Sequence, residues 1–580
     1  MDSMQPVYTE VNNCQDCYKC IRECPVKAIK IEANRASIIR ELCIFCGRCT
    51  LICPSGAKKV RDDLSKVKRL LRRNTPVYVS LAPSFISEFP DYSAPAMVAA
   101  LKKLGFAGIS ETALGAEVVT TNTAQFLNEA GPGIYISTAC PSAVDYIRKY
   151  QPELTKCLVG IQSPLMAHAS MLRQWYGQDI RVVFIGPCVA KKTESDDFPS
   201  LIDASLTFND LRRWFEEESF IPELMCPAEN DTFIPAQASD GALYPIDGGM
   251  VGTIKNATNT SSVNFMHISG IANIKNALNG LDEVANSAKI FIELLVCEGG
   301  CINGPGTSSK SGTIVKNLKV DQYRNAPQLA APSMDWSNNL PDIHTRYCFI
   351  KQDRPVKYWS EEDIAEALKT AGKTCKEDEL NCGGCGYNSC RDFAIAMLNG
   401  MAERQMCVSY MRRVAADKAS VLLQRMPYGV VLVDDRMQII ESNRLFAELI
   451  GNDASLLWDA KPGLQGADMN KMVAFHKVFS NVLSSGNDLI DRNIEENGRL
   501  FNLSVFTIQR HRIICGIIQD LHHPGLMQED VMRRIKQVVH ENMSTVQKVA
   551  FLLGENAART EAMLNTVINN PVIALMDEEG

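Results

Sequence analysis

Two thiols four residues apart, Cys297 and Cys301, sit in the stretch Leu295-Val-Cys-Glu-Gly-Gly-Cys-Ile-Asn-Gly-Pro-Gly306. A spacing of four puts both on one face of a single helical turn. The run before them, Ile290-Phe-Ile-Glu-Leu-Leu-Val296, is short and apolar and reads as a buried strand. Gly299 and Gly300 remove side chains where a large ligand would approach, and Gly304-Pro305-Gly306 ends the element. Thiolates at the mouth of a buried strand suit an iron–sulfur cluster, but two cannot complete one, so other ligands must come from afar. Two buried structural thiols are the plain alternative. It is weakened by Cys140-Pro141 and Pro187-Cys188, which also follow apolar strand-like runs.

Residues 14–54 hold Cys14-x2-Cys17-x2-Cys20-x3-Cys24-Pro25 and Cys43-x2-Cys46-x2-Cys49-x3-Cys53-Pro54. This is the bacterial two-cluster ferredoxin pattern, in which the fourth cysteine of each run ligates the other cluster. Cys14, Cys17, Cys20 and Cys53 are then expected to hold one 4Fe-4S cluster, and Cys43, Cys46, Cys49 and Cys24 the second. A zinc site would want two CxxC pairs instead of two complete runs. Further on, Cys382-Gly-Gly-Cys385-Gly-Tyr-Asn-Ser-Cys390 and then Cys407, read on the same side of an Ala/Met-rich helix, resemble the small four-cysteine iron–sulfur domain of electron-transfer proteins. Gly383, Gly384 and Gly386 permit a tight loop round a cubane. Zinc is the alternative there, and Cys375 is a spare thiol.

The elements that must position these thiols follow from length and patterning. A chain of 580 residues is too long for one core, so three to five domains are expected. A formal net charge of -7 argues against a general nucleic-acid binder. The start Met1-Asp-Ser-Met-Gln-Pro lacks the pattern of a signal peptide, and no apolar run reaches the ~18 residues of a membrane span. The 21 cysteines are therefore expected in a reducing, cytoplasmic setting, where they bind metal more often than they form disulfides. Cys157, Cys226, Cys348 and Cys515 stand alone and read as small buried residues. Residues 58–73 read as a basic amphipathic helix with Val60, Leu64, Val67 and Leu71 on one face. Between 75 and 350 strands (77–81, 133–137, 181–185) alternate with helices (93–104, 164–176). Alternation implies a parallel sheet covered by helices, with ligands collected at the carboxyl ends of the strands. Ala82-Pro83-Ser84, Cys140, Cys188 and Cys297 all follow strand ends, so they can converge on one crevice.

Thr138-Ala-Cys-Pro141, Gly186-Pro-Cys-Val-Ala-Lys-Lys-Thr-Glu194 and Cys297-Glu-Gly-Gly-Cys301 resemble, in order, the three signature loops of iron-only (di-iron) hydrogenases. The resemblance spans nearly all of 75–350. It implies an H-cluster, a 4Fe-4S cubane bridged by one cysteine to a di-iron centre carrying carbonyl, cyanide and a dithiolate. Cys140, Cys188, Cys297 and Cys301 would hold it, with Cys301 as the bridge. Ala82-Pro83-Ser84 matches the family's cyanide-contacting turn and Lys191 its cyanide-binding lysine; Gly248-Gly249-Met250 and Ile343-His-Thr-Arg-Tyr347 match as well. Two departures stand out. Catalytic members have a free cysteine where this chain has Ala139, and glutamates and a serine where this chain has the neighbourhood of Asn122 and Thr123, and Val159. Gly186 and Leu295 replace methionines that pack around the di-iron site. The cluster-holding residues are kept while the proton path is lost. This is similar to the sensory branch of the family, and slow turnover is expected, since general acid–base transfer is worth about 10²–10⁴ in rate.

Residues 416–523 carry no cluster motif. Ala419–Asp434, then Gln438-Ile-Ile-Glu-Ser-Asn-Arg-Leu-Phe446, resemble the opening of a PAS domain, with later strands at 501–506 and 513–518. His476 lies where some such domains ligate haem, though a lone His on a helix is more often not a ligand. Residues 524–570 read as one long helix with a broken 3-4 repeat, suggesting a coiled coil between two chains; packing on the chain's own domains is the alternative. His540-Glu541 is similar to the phosphoacceptor of histidine kinases, but kinase activity is rejected for want of an ATP-binding domain. The expected fold is multidomain, α+β and α/β: a two-cluster ferredoxin domain (1–64), a hydrogenase H-cluster domain (75–350), a four-cysteine 4Fe-4S domain (355–412), a PAS domain (416–523) and a signalling helix (524–580). The resemblance implies hydrogen and protons as substrates and a redox carrier such as ferredoxin as electron partner. A separate effector, a kinase or phosphatase, would receive the signal from a homodimer. A working hydrogenase of energy metabolism, or an iron–sulfur scaffold without the di-iron unit, are the competing readings.

Overall fold

The computed structural model describes residues 5–222, 225–257, 263–281, 288–326, 343, 345–352, 354, 357–496 and 498–521. It divides into two compact units, 1–412 and 413–580. The helix expected over 524–570, with His540, lies outside the described residues, as does His344.

The first unit opens with a twofold-repeated motif. Helices Lys19–Glu23 and Arg48–Ile52 each carry the third thiol of a run, Cys20 and Cys49. Each helix is entered through a left-handed residue, Tyr18 (φ 56°) and Gly47 (φ 72°). Two short antiparallel ribbons frame them: Val7–Thr9 with Lys58–Val60, and Ile29–Glu32 with Arg35–Ile38. The expected helix over 58–73 is thus corrected. Its first residues pair as a strand with the chain's start, and the helix runs only over Leu64–Leu71, burying Leu64 and Val67. Lys58 explains the override: its ammonium is buried and donates to Thr9 Oγ1 and the Ala36 carbonyl, tying both ribbons together.

The region that follows contains two parallel sheets where a single one was expected. One has the order Gly108–Glu111, Val77–Leu81, Arg181–Gly186, Ala204–Thr207. The other has the order Val263–Ser269, Lys289–Leu295, Gly133–Ile136. Strands such as Lys289–Leu295 are buried almost throughout, as apolar runs in covered parallel sheets must be. Helix Pro164–Tyr176 packs along Thr112–Glu129. Gly115 allows this approach, because a Cβ there would lie 2.2 Å from the Pro164 carbonyl oxygen.

The small cysteine domain is built on the ferredoxin core. Tyr387, Phe393 and Met406 share one apolar cluster with Ile21, Ile29 and Ile31, and at Gly386 (φ +93°) a Cβ would stand 3.1 Å from the Arg22 amide nitrogen. Its helix Cys390–Leu398 ends before Gly400 (φ +67°), so Cys407 follows a separate 3-10 turn, Arg404–Met406. The expectation that Cys407 shares the helix is corrected; the left-handed glycine turns the chain back.

The second unit is a five-stranded antiparallel sheet of PAS-like order: Ile439–Ser442, Gly429–Asp434, Ile513–Asp520, Arg499–Gln509, Leu489–Glu496. Buried Asn443 explains the Glu-x-Asn signal. Its Oδ1 accepts from the amides of Val430 (2.8 Å) and Phe446 (3.0 Å), and its amide donates to the Tyr428 (2.6 Å) and Leu423 (3.2 Å) carbonyls. It caps helix Arg444–Ile450 and ties that helix to the first strand of the sheet. His476 begins helix His476–Ser485, with Nδ1 3.1 Å from the Val473 carbonyl oxygen.

A buried ionic knot locks the ferredoxin segment to the two-sheet region. Lys192, fully buried, donates to Asp63 (3.0 Å), the Ser205 carbonyl (2.7 Å) and Asp210 (3.4 Å). Arg61 joins Asp63 to Asp196. Removing the cation leaves Asp63 with Arg61 alone and Asp210 with Arg213 at 3.5 Å, and takes the Lys192 donor from the Ser205 carbonyl. Lys192→Met is therefore expected to cost about 3–5 kcal/mol, read as a fall in the midpoint of guanidinium unfolding. An unchanged midpoint would show that the knot is not a fastening.

Candidate metal centre

The four thiols singled out from sequence come together where the carboxyl ends of the two sheets face each other. Cys140 follows strand Gly133–Ile136 and caps helix Pro141–Tyr150; Cys188 follows Arg181–Gly186; Cys297 and Cys301 follow Lys289–Leu295. The loop between the last two is not the single helical turn that their spacing suggests. Gly299 (φ +74°) and Gly300 (φ +101°) break it, and Gly300 must stay bare because a Cβ would meet the Pro245 carbonyl oxygen at 2.3 Å. Cys301 then opens a 3-10 turn, Cys301–Asn303.

Two adjoining cavities share this junction. One, of about 460 Å³, is lined by Cys140, Cys188, Cys297 and Cys301 together with Phe45 and Cys46. The other, of about 580 Å³, is lined by Ala82, Pro83, Ser84, Ala139, Phe184, Lys191, Tyr244 and Leu295, and again by Cys188 and Cys301. Cys188 and Cys301 thus both face the two cavities. Burial pushes all four thiols up, Cys188 to about 11, and neighbouring thiols push further on Cys188, Cys297 and Cys301. Backbone N–H groups aimed at sulfur oppose this: those of Val296, Ala143 and Ser142 at Cys140, and of Lys191 and Ala190 at Cys188. Four thiols crowded in one dry hollow cannot ionise together without a compensating cation, which is the chemistry of a metal–thiolate site. Among the described residues no three His, Cys, Asp or Glu side chains close on a single ion; the four thiols line one cavity.

The second cavity also carries donors. The Ser84 hydroxyl is buried and has no hydrogen-bond partner among the described residues. Lys191 Nζ donates to Glu194 (2.7 Å) and Ser163 (3.0 Å), leaving one of its three donors for the cavity. At Gly186 a Cβ would meet Phe184 Cζ at 2.4 Å, so Phe184 fills the space that a larger residue would take. Ala139 lines both cavities and offers no proton. Asn122 donates to Thr345 Oγ1 (2.7 Å), and Val159 is buried. The sequence reading missed Phe184, Tyr244 and Thr112 in the lining, which carry no motif, and Glu293, a lone acid in an apolar strand that could have been noticed.

The ferredoxin thiols fall into two sets of electrostatic neighbours. Cys20 feels Cys17, Cys14 and Cys53; Cys49 feels Cys46, Cys43 and Cys24. Cys385 feels Cys407 and Cys382, while Cys390 is buried at the start of its helix. The second ferredoxin run is pressed against the four-thiol hollow. Gly47 tolerates this, since a Cβ would lie 2.5 Å from Pro305, and Lys149 donates to the Cys43 carbonyl (2.6 Å). Cys375 is exposed and donates to Asp378. Of the isolated cysteines, Cys515 is buried and Cys157 half-buried, but Cys226 and Cys348 are exposed, correcting the expectation of buried residues; both stand in irregular segments without an apolar face.

Residues 75–305 match the model of the iron-only hydrogenase large subunit, C-terminal domain. This stretch belongs to the iron-only hydrogenase family. Residues 6–67 match a 4Fe-4S dicluster domain and 378–409 an Fe-S cluster family. The chain is 22% identical over 408 residues to the NADP-reducing hydrogenase subunit HndD of Solidesulfovibrio fructosivorans, covering 57% of this chain and 69% of that one. It is 25% identical over 310 residues to the periplasmic Fe hydrogenase large subunit of Nitratidesulfovibrio vulgaris, covering 45% and 73%. An FeFe-hydrogenase structure from Chlamydomonas reinhardtii aligns at a TM-score of 0.39 and 16% identity, over 51% of this chain and 100% of that one. A PAS-domain structure from Haloarcula marismortui aligns at a TM-score of 0.14 and 16% identity, over 20% and 97%.

Two buried carboxyls of the hydrogenase domain set its response to pH. Burial pushes Glu293 up to about 8 and Glu111 to about 7, against the N–H donors of Val251 and Ala238 and the Tyr323 hydroxyl. The unfolded chain loses these protons near 4.5. Between those values the native state holds more protons, so stability falls as pH rises from about 4.5 to about 8. Urea unfolding midpoints should drop across pH 6–8.5, and the E111Q/E293Q double variant should flatten that slope. A slope that survives the double variant would place its cause elsewhere.

Proposed function

We propose that this protein is a sensory iron-only hydrogenase. It would bind hydrogen at an H-cluster held by Cys140, Cys188, Cys297 and Cys301 and convert it slowly. Its redox state would pass through three further 4Fe-4S clusters, on Cys14, Cys17, Cys20 and Cys53; on Cys43, Cys46, Cys49 and Cys24; and on Cys382, Cys385, Cys390 and Cys407. The reading rests on one juxtaposition: Cys188 and Cys301 shared between two cavities, with Ala139 where a proton donor would be needed. When bound, the H-cluster supplies the reversible splitting of hydrogen into protons and electrons. The chain's own part is to hold and to exclude. Lys191 and Ser84 offer hydrogen bonds to anionic ligands, Phe184 and Leu295 keep water out, and Ala139 withholds the proton transfer that would make turnover fast. Phe45 and Cys46 bring the second ferredoxin cluster beside the H-cluster hollow, giving electrons an exit. The PAS-like unit and the tail beyond it carry the state to a separate kinase or phosphatase as a change in packing or pairing of two chains, which requires differential contact in the oxidised and reduced states.

Matured protein should contain about 18 iron per chain and show infrared bands of metal-bound carbonyl and cyanide, as the four cubanes and one di-iron unit require. About 16 iron without those bands would favour a scaffold that lacks the di-iron unit. Ala139→Cys should raise hydrogen evolution only partly, because Asn122, Thr123 and Val159 still leave that path without acids. Rates of the catalytic class in the unmodified protein would refute limitation by proton supply. Cutting after Ala415 should keep iron content and slow turnover but abolish dimerisation or effector capture, as seen by sedimentation under hydrogen and under an oxidant. Unchanged assembly and partners would remove the tail as output.

A further inference from the structure

The loss of the expected proton path leaves open how protons reach the di-iron cavity at all, and one side of the cavity carries an arrangement suited to the task. Glu293 is the single acid in its buried strand, and its carboxyl is almost wholly shielded from water. Its Oε2 accepts the Val251 amide at 2.9 Å, while Oε1 is buried without a hydrogen-bond partner among the described residues. The neighbouring edge strand runs parallel with His267 opposite Glu293. Residues paired in this way project from the same face of the sheet. The His267 side chain is half-exposed, and its Nδ1 lies 3.1 Å from Asp247 Oδ1. Asp247 Oδ2 accepts from Ser269 (2.8 Å), which in turn accepts the Gly299 amide (3.2 Å) in the loop between Cys297 and Cys301. On the cavity side, Glu293 lies within electrostatic reach of Tyr244 and Cys301, both of which line the cavity. The Tyr244 hydroxyl continues to Thr120 (2.8 Å), and Thr120 to Thr253 (3.2 Å).

We infer that Glu293, fed from solvent by the His267–Asp247 pair, carries protons to and from the di-iron cavity in place of the missing thiol path. This rests on the hydrogenase reading above. In hydrogen evolution, the Glu293 O–H bond breaks as its proton passes to the cavity side. The carboxylate then takes a proton from the His267 imidazolium, and neutral His267 takes one from water or buffer. Hydrogen oxidation runs the same transfers backwards, with electrons leaving through the clusters. The groups facing Glu293 set its readiness. Asp247 and burial favour the protonated form, and the N–H groups of Met250 and Val251 favour the charged form. The helix Gly249–Ala257 adds one charge, Lys255, which lies over Phe265. A carboxyl that changes state near working pH is a suitable carrier.

Glu293 also receives the first amides of helix Gly249–Ala257, so a structural role must be separated from a carrying one. Glu293→Gln keeps an acceptor for those amides but cannot release a proton. In the full chain before maturation, infrared titration should show a protonated-carboxyl band that disappears with a midpoint near pH 8 and is absent in E293Q. In the matured chain, E293Q should slow deuterium–proton exchange at least tenfold with the carbonyl and cyanide bands unchanged. His267→Ala should slow it severalfold, with added imidazole restoring the rate. Exchange at the unmodified rate in E293Q with those bands intact overturns the inference, as does an H267A variant that is unimpaired. Absence of the carbonyl and cyanide bands from the unmodified matured chain would instead overturn the hydrogenase reading itself.

Discussion

Crowding four thiols into one dry hollow is the constraint on which the rest of the first unit depends. Each of Cys140, Cys188, Cys297 and Cys301 is raised by loss of water, and all but Cys140 are raised further by neighbouring thiols. Such thiols stay protonated in the hollow unless a bound cationic centre stabilises their charged form. The hollow survives in the fold because its walls are rigid. Two parallel sheets present their carboxyl ends to each other, and the thiol-bearing loops are short and held by backbone contacts. Gly300, Gly304 and Gly306 sit so close to the Pro245 and Pro187 carbonyls that no side chain fits.

The same packing that encloses the hollow brings the second ferredoxin run against it. The second ferredoxin run is part of the wall, through Phe45, Cys46 and the Gly47–Pro305 contact. Lys149 and Tyr150, on the helix that Cys140 begins, donate to the Cys43 and Leu42 carbonyls at the start of that run and to the Val26 carbonyl just after the first run. The four-cysteine domain is fused to the far side of the ferredoxin core, sharing Ile21, Ile29 and Ile31. Electron relays need such rigidity, because hollows must keep fixed spacing while their charge changes. The Lys192 knot fixes the end of the ferredoxin segment to the same block.

The thiol-bearing loops and the rest of the cavity wall differ in the chemical groups they offer. The ligand loops are complete, yet the cavity wall at Ala139 is inert and the Asn122 amide is spent on Thr345. Glu194 is paired with the cavity-lining Lys191 at 2.7 Å, and burial pushes the Glu293 carboxyl up to about 8.

Sequence by itself determined the ligands, because thiol spacing is a local property. The runs at 14–24, 43–53 and 382–390 point to iron–sulfur chemistry before any fold is known, whereas the roles of 297–301 and of Ala139 are legible only through the family resemblance. Asn443 likewise announced the PAS-like turn, since a capping amide acts within a few residues of itself. Tertiary structure alone decided what depends on distant segments meeting. It split one expected sheet into two, turned 58–60 into a strand paired with the chain's start, and unwound the turn between Cys297 and Cys301 to clear the Pro245 carbonyl. It also set Cys188 and Cys301 between two cavities and placed His267 beside Glu293. Register and cavity shape arise from packing between residues far apart in the chain, and periodicity read along a single strand or helix carries no record of which neighbour it will meet.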